Sequence, residues 1–596
     1  MFLPVTKEEV KKRGWDEVDF VLVTGDAYVD HHSFGTAIIG RLLEKNGYKV
    51  AIIPQPDYKS AEDFRRFGKP RLGFLINSGV VDSMVNNYSV FKHRRKVDEY
   101  APGGKAGNRP DRAVVVYANR AREAYKDVPV IIGGLEASLR RLGHYDYWSD
   151  KVRRSILLDA KADLLIYGMG ERAIIEIADA LDSGIEIKDI TWIRGTCYKA
   201  KDVSGFEGDK EVVFLPPYDA VSTDKKEYAK SFAFQYANND SISAKTLIEK
   251  YTDTVHVVQN PPQPPLEREE LDDVYSLPFE NECHPIYDDQ GGVPAFKEIK
   301  FSVVSSRGCF GGCSFCALTY HQGRQVRARS KEAIVDEVRQ LTKKKDFKGY
   351  IHDVGGPTAN FRGPACQKQL KAGVCTNKDC LYPTVCKNMI VDHSDYLDVL
   401  RAVRSVEKVK KVFIRSGIRY DYLMADPKHD KFIEELCKYH ISGTLKVAPE
   451  HVSANVLYHM RKPDKKVFLA FDKKYKATNR RLGLKQYLIP YLISSHPGST
   501  LDDAVELAVF LKEYGFIPDQ VQDFYPTPGT LATCMYYTEL DPFTMNPVYV
   551  AKNMEEKKMQ RALIHYNKRE NHDMVIKALK KAGRVDLIDF LLYNRK

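Results

Sequence analysis

Cys309-Phe-Gly-Gly-Cys313-Ser-Phe-Cys316 sets three thiols at x3 and x2 spacing on a glycine-bearing loop. Glycine lets backbone fold closely around a compact inorganic centre, and three thiolates are one fewer than a four-iron cube can take. A [4Fe–4S] cluster held here would keep one iron without a protein ligand. That iron could chelate the amino and carboxylate groups of S-adenosylmethionine. An electron delivered to the cube could then split the sulfonium, leaving methionine and a 5′-deoxyadenosyl radical. The competing chemistry is a zinc site, which would need a fourth close ligand; His321 is the nearest candidate. The spacing predicts the iron–sulfur centre.

A second group, Cys366, Cys375, Cys380 and Cys386, lies amid Gly, Pro and Lys without a helical pattern. It predicts a metal-stapled insertion over 361–390, with zinc or an auxiliary iron–sulfur cluster both fitting four thiolates. Upstream, Asp30-His31-His32-Ser33-Phe34-Gly35 carries the spacing D-x-H-x-x-G, with Ser78 and Gly133-Gly134 further on. Cobalamin-binding domains use such a histidine as lower cobalt ligand and such glycines to admit the nucleotide tail, so cobalamin is a candidate cofactor. A loop leading into a helix explains the same residues. His144-Tyr-Asp-Tyr-Trp148 could stack on a base, but amphipathic aromatics of this kind also plug interfaces.

These residues need elements to position them. Apolar runs at Val18–Val23, Val50–Ile53, Gly73–Ile76, Val128–Ile132 and Asp163–Tyr167 alternate with helical patterns at Phe34–Lys45, Tyr117–Tyr125 and Glu171–Leu181. Strands separated by helices predict a doubly wound, Rossmann-like α/β domain over 1–195. Pattern weakens over 196–295, where Asn260-Pro-Pro-Gln-Pro-Pro265 cannot be helical, and an irregular connector is expected. Six further strand candidates follow: Phe301–Ser305, Tyr350–Val354, Val412–Arg415, Thr444–Ala448, Gln486–Leu492 and Gln520–Phe524. Between them, helices announce themselves by Ser330, Ser394 and Thr500. This predicts a (β/α)6 partial barrel over 296–551, followed by a basic helical extension over 552–596. In a barrel the chemistry gathers at the strands' C-terminal ends. The polar residues there are His352, Asp353, Arg415, Arg419, Glu450, His451, His496 and Asp523, and Tyr525-Pro-Thr-Pro-Gly-Thr530 reads as a rigid turn closing the site.

The cysteine triplet resembles the defining motif of the radical SAM superfamily. Together with Thr24–Asp30, Gly133–Arg141, His144–Trp148 and Arg307–Arg329, it makes nearly the whole chain resemble the YgiQ-like family of radical SAM proteins. The resemblance implies a six-stranded partial barrel, in agreement with the strand count. It also implies that glycines ending the second strand, here Gly355 and Gly356, meet the methionine amino group of the cofactor, although the acidic residue often found after them is missing. Glu450 is the candidate ribose contact by the same analogy. No substrate is implied.

Bulk properties bound the rest. The formal charge is +11 and the pI about 8.8, a mildly basic balance that suits a solvated surface or a polyanionic partner. RNA or a protein side chain is therefore a candidate substrate. No apolar segment follows the basic start Met1–Arg13, and no run approaches about 18 apolar residues, so neither export nor membrane insertion is expected. Seven of eleven cysteines fall between 309 and 386, which predicts metal ligation in a reducing cytoplasm rather than disulfides. A reductant protein of flavodoxin or ferredoxin type is implied. Two other classes fit the cysteines: a nucleic-acid-binding protein with structural metal sites, and an electron carrier that ignores S-adenosylmethionine.

Overall fold

The computed structural model describes residues 1–518 and 521–593, and its chain divides into two compact units. The first comprises Met1–Ser302 with Tyr320–Gly323 and Lys371–Val374; the second comprises Val303–Thr319, Arg324–Leu370 and the chain from Cys375 on.

The main sheet of the first unit is built from β1 (Phe20–Thr24), β2 (Val50–Pro54), β3 (Gly73–Asn77), β4 (Val130–Ile132), β5 (Leu164–Ile166), β6 (Thr196–Ala200), β7 (Val212–Phe214), β8 (Thr246–Thr252) and β9 (Val255–Gln259). They form one sheet in the order β7-β8-β9-β6-β5-β4-β3-β1-β2. The five strands β2, β1, β3, β4 and β5 run parallel. They read as unbroken apolar runs because both faces are covered. Leu22, Ile52, Leu75, Ile131 and Leu164 face one core, while Val21, Val23, Ile53, Phe74, Ile76 and Leu165 face the other.

The stretch 196–295 differs from expectation. Instead of an irregular connector it supplies β6 to β9, which continue the sheet through antiparallel pairings of β5, β6, β9 and β8 and a parallel pairing of β8 with β7, and the helix Lys225–Ala237. The physical reason is a hairpin of β-branched residues turning at Asp253-Thr254. Its signal is local and short, and the proline run that follows it dominates the sequence pattern.

Glu249 on β8 is fully buried, with its carboxylate accepting from Gly143 N–H at 2.8 Å and from the Tyr251 hydroxyl. Burial pushes this carboxyl up to about 7, against the two hydrogen bonds. A raised folded-state pKa contributes stability that is complete below the unfolded value and lost as pH rises through the folded one. Denaturant midpoints are therefore expected to fall between about pH 4.5 and 7. In Glu249→Gln protein, which keeps both hydrogen bonds without a proton to lose, that part of the pH profile should flatten.

The second unit carries β10 (Ser302–Val304), β11 (Tyr350–Ile351), β12 (Asp353–Gly355), β13 (Lys411–Val412), β14 (Thr444–Glu450), β15 (Tyr487–Ser494) and β16 (Gln522–Asp523). β10 pairs with β12, β11 with β13 in parallel, and β14, β15 and β16 in parallel sequence. Taking β11 and β12 as one interrupted strand, these are six βα steps. Gln520, the expected start of the last strand, lies outside the described residues. Two of the three expected caps hold: Ser330 accepts from Ala333 N–H at 3.1 Å, and Thr500 forms a reciprocal box with Asp503, whereas Ser394 is the first residue of its helix and His393 takes the cap position. Helices Met554–Ile564 and His572–Lys581 pack with Leu501–Tyr514 in one apolar cluster, so the C-terminal segment is part of this core. Among the described residues no helix is long and apolar enough to cross a membrane.

Candidate functional site

The cysteine loop leaves the first barrel strand through Ser306–Arg307, which pairs with Arg327–Ala328. Three later segments of the second unit anchor it. Ser314 N–H donates to O of Met460, the last residue of the helix Ala454–Met460, at 3.1 Å, and Ala532 N–H, in the helix Leu531–Thr538, donates to Ser314 O at 2.9 Å. Beyond β15, His496 accepts the Ser314 hydroxyl on Nε2 at 3.1 Å while its Nδ1 donates to Pro497 O at 2.7 Å. Burial pushes this imidazole down to about 3, so it is a neutral strut with both nitrogens engaged.

The three thiols share one environment. Burial pushes Cys316 up to about 12, and the sulfurs of Cys313 and Cys309 add to the rise. Cys309 is likewise raised by burial and by Cys313, with the Arg419 charge opposing. Donors reach two of the sulfurs: Thr358 Oγ1 lies 3.6 Å from Cys309 Sγ, and Arg419 Nη1 lies 3.4 Å from Cys313 Sγ. Arg419 also reaches Gly311 O at 3.4 Å and is gripped by Asp421 through Nε at 2.8 Å and Nη2 at 2.6 Å.

Gly311 is the residue that admits the guanidinium. A Cβ there would fall inside contact distance of Arg419 Nη1 and 3.3 Å from Cys309 Sγ. Gly311→Ala protein is therefore expected to retain less iron per chain after reconstitution and desalting, measured by iron and sulfide analysis, with its unfolding midpoint little changed.

Glu450 ends β14 in the left-handed region, at φ 69°, where the ladder to β15 shifts register. Such a conformation is rare for a residue with a side chain and marks a position held by its surroundings. Its carboxylate is buried 3.9 Å from Lys462 Nζ, and burial raises its pKa against the charges of Lys462 and Arg419. Thus the structure brings Cys309, Cys313, Cys316, Arg419 and Glu450 into one neighbourhood. Gly355 and Gly356 are glycines for a packing reason: a Cβ on Gly356 would sit 2.7 Å from Ser306 Oγ, and one on Gly355 would collide with Ser416 and Asp353. They lie on the strand end next to the cysteine loop's base, where Ser305 N–H donates to Gly355 O at 2.6 Å.

Other expected residues serve the frame. Asp353 accepts from Arg415 and Ser416 N–H groups at 2.8 and 3.2 Å, His451 Nδ1 accepts from Ser453 N–H at 3.1 Å, and Asp523 is paired with Arg561. Arg415 is exposed and His352 half-buried. Within the turn at 525–530, Thr530 caps the helix Leu531–Thr538. Sequence reasoning missed Asp421, Lys462, Thr358 and Asn360. Asn360 accepts from Arg419 N–H at 2.9 Å and donates to Arg419 O at 3.2 Å, fixing that residue's backbone. The pair Arg419-Tyr420-Asp421, two charges two apart after a glycine-bearing strand end, was the available signal.

In the insertion, Phe361 stacks on Phe310 of the cysteine loop with centroids 3.7 Å apart, and Leu381 and Tyr422 complete that apolar cluster. Burial pushes Cys380 up to about 12, with Cys366 and Cys375 close enough to contribute; Cys386 is lowered by backbone hydrogen bonding at Asn388. Among the described residues no three His, Cys, Asp or Glu side chains converge as a single metal ion would require.

In the first unit a cavity of about 160 Å³ opens over the carboxyl ends of β1, β3, β4 and β5. Thr36, Asn77, Gly134, Met169, Glu171 and His321 are among its lining. The parallel order β2-β1-β3-β4-β5 puts it at the switch point where open α/β sheets bind ligands. Gly133 and Gly134 line it, but His32, the expected cobalt ligand, does not. Val29–Asp30 pairs with Glu282–Cys283, which tucks His32 under that segment, 5.1 Å from the Tyr275 ring; Asp30 is buried against Arg41. His144–Asp146 forms a hairpin arm with Lys151–Arg153, and the hydroxyls of Tyr145 and Tyr147 are satisfied by Asp150 and Val90 O.

Comparison with known proteins places this geometry. Residues 2–302 match the Radical SAM N-terminal family, 303–511 the Radical SAM superfamily, and 519–591 a domain of unknown function, DUF3362. A UPF0313 protein of Clostridium botulinum (strain ATCC 19397 / Type A) is 57% identical over 587 residues, covering 98% of this chain and 90% of the relative. The chain belongs to the UPF0313 family of radical SAM proteins. A Clostridium perfringens (strain 13 / Type A) member is also 57% identical, over 98% of this chain and 88% of its own. Among solved structures, the radical S-adenosylmethionine methyltransferase TsrM from Kitasatospora setae matches at TM-score 0.48 and 12% identity, over 87% of this chain and 76% of that one. A UPF0313 protein is thus an enzyme of the radical SAM class, which uses a [4Fe–4S] cluster and S-adenosylmethionine.

Proposed function

We propose that Cys309, Cys313 and Cys316 hold the [4Fe–4S] cluster and that the enzyme cleaves S-adenosylmethionine reductively. The observation that supports this best is three thiols on one glycine-bearing loop that is held through Ser314 by Met460, His496 and Ala532. When bound there, the cluster supplies the electron that splits the sulfonium into methionine and a 5′-deoxyadenosyl radical. The protein's own part is to hold and exclude. Gly355 and Gly356, on the strand end beside the base of the loop, would meet the methionine end of S-adenosylmethionine through their backbone, and Glu450, strained and buried, offers a carboxylate to the ribose hydroxyls. Phe310, Phe361 and Leu381 keep water from one side of the loop. A small flavodoxin- or ferredoxin-type protein delivers the electron in a reducing cytoplasm, and the basic charge balance favours RNA or a protein side chain as substrate.

The test is anaerobic reconstitution with iron and sulfide, then dithionite and S-adenosylmethionine, with chromatographic assay for 5′-deoxyadenosine. Its formation supports the reading. A loaded, reduced cluster that leaves S-adenosylmethionine intact, with or without added RNA, would favour electron transfer instead.

A further inference from the structure

Arg419 has a role that no superfamily motif assigns. Its side chain is 9% exposed and that of Asp421 3% exposed, so both charges act with little screening by water. The guanidinium is not free to choose its partners. Asp421 takes Nε and Nη2 in a two-pronged grip, Asn360 clamps the backbone on both sides, and His393 in turn holds Asn360 Nδ2 at 3.0 Å. His393 itself is fixed by Asp426, at 2.7 Å from Nδ1. What remains is Nη1, and it is aimed at Gly311 O and the Cys313 sulfur, both at 3.4 Å. The cysteine loop is shaped to receive it, since any side chain at 311 would occupy the same space.

We propose that Arg419 sets the reduction potential of the cluster, with Asp421 as the counter-charge that limits its effect. This rests on the cysteine assignment made above. Hydrogen bonds to the sulfurs and net charge are among the levers that move such potentials. Three thiolates around a cube of charge 2+ give a net charge of 1−, and one electron from an external reductant makes it 2−. A buried cation that donates to one sulfur stabilises the more negative state, which makes reduction easier. A carboxylate on the far side of that cation opposes the effect. The two residues therefore have opposite signs, and a purely structural role for the pair would not give them that relation.

The experiment is an anaerobic redox titration of the reconstituted full-length protein, followed by the paramagnetic resonance of the reduced cluster, with iron and sulfide content measured on each sample. Arg419→Gln is expected to make one-electron reduction at least tenfold less favourable in its equilibrium constant, a shift of about 59 mV to the negative. Asp421→Asn, which leaves the guanidinium in place, should move the potential to the positive. Arg419→Lys keeps the charge without the fork and should fall between parent and Arg419→Gln. A fully loaded Arg419→Gln protein that titrates with the parent overturns the proposal, as do two variants that shift in the same direction. Should Arg419→Gln fail to load, Asp421→Asn decides alone, and an unmoved or more negative potential overturns it. A parent that assembles no cluster removes the cysteine assignment itself, an outcome distinct from these.

Discussion

Cys313→Ala protein, reconstituted with iron and sulfide, is expected to lose most of its cluster and to form no 5′-deoxyadenosine above the protein-free mixture. Cys313 is the middle thiol of the three: both neighbours' sulfurs register its charge, and it is the one that Arg419 reaches. Removing it leaves two thiolates for a cube and a buried guanidinium without its sulfur partner. Cys386→Ala serves as the comparison. That cysteine lies in the insertion, half-buried, with its thiol pKa lowered by backbone hydrogen bonding at Asn388 rather than by another sulfur. It should keep both iron content and 5′-deoxyadenosine formation near parent levels. A Cys313→Ala protein with full iron and full activity would remove the ligand assignment. Loss in Cys386→Ala instead would move the centre to the insertion.

The sequence carried this site unevenly, for physical reasons. A short local spacing such as the cysteine triplet survives in one dimension because its residues are bound to lie near each other. The parallel strands β1 to β5 were readable because burial on both faces writes an unbroken apolar run. Strands β6 to β9 were not: β7 has no buried residue, β8 and β9 form one hairpin, and the neighbouring prolines gave the stronger signal. Arg419 stood among the polar strand ends, but its bond to Cys313 spans 106 residues and exists only once the barrel strands bring the two loops together. The glycines show the same limit. Gly311 reads as loop flexibility in sequence, whereas in the fold it is a slot for one particular side chain. Next to His32 the pattern was local as well, and the pairing of Val29–Asp30 with Glu282–Cys283, some 250 residues away, was not legible in it.

The first unit offers the second large effect. Arg109 is fully buried, with Nη2 at 2.7 Å from Asp26 and 3.3 Å from Asp98, and Nη1 donating to Ser78 O at 2.7 Å. It ties the loops that follow β1 and β3, at the edge of the cavity over the strand ends. Arg109→Met is expected to destabilise the protein by about 3–5 kcal/mol, because breaking a buried ion pair strands its partners' charges rather than merely losing an attraction. Burial already pushes the Asp26 carboxyl up to about 6 in spite of Arg109. Without the guanidinium, Asp26 should hold its proton to still higher pH. For a carboxylate such as Asp26, raised in the folded state, stability is retained below the unfolded pKa and lost as pH rises through the folded one. The defect of Arg109→Met should therefore shrink as pH falls toward 5 and grow toward 8, as read from denaturant midpoints at each pH. Adding Asp26→Asn should recover part of the loss at neutral pH by removing one stranded charge. A defect that is independent of pH would instead mean that Arg109 acts through its packing, and that the strand-end loops are held by shape and not by charge.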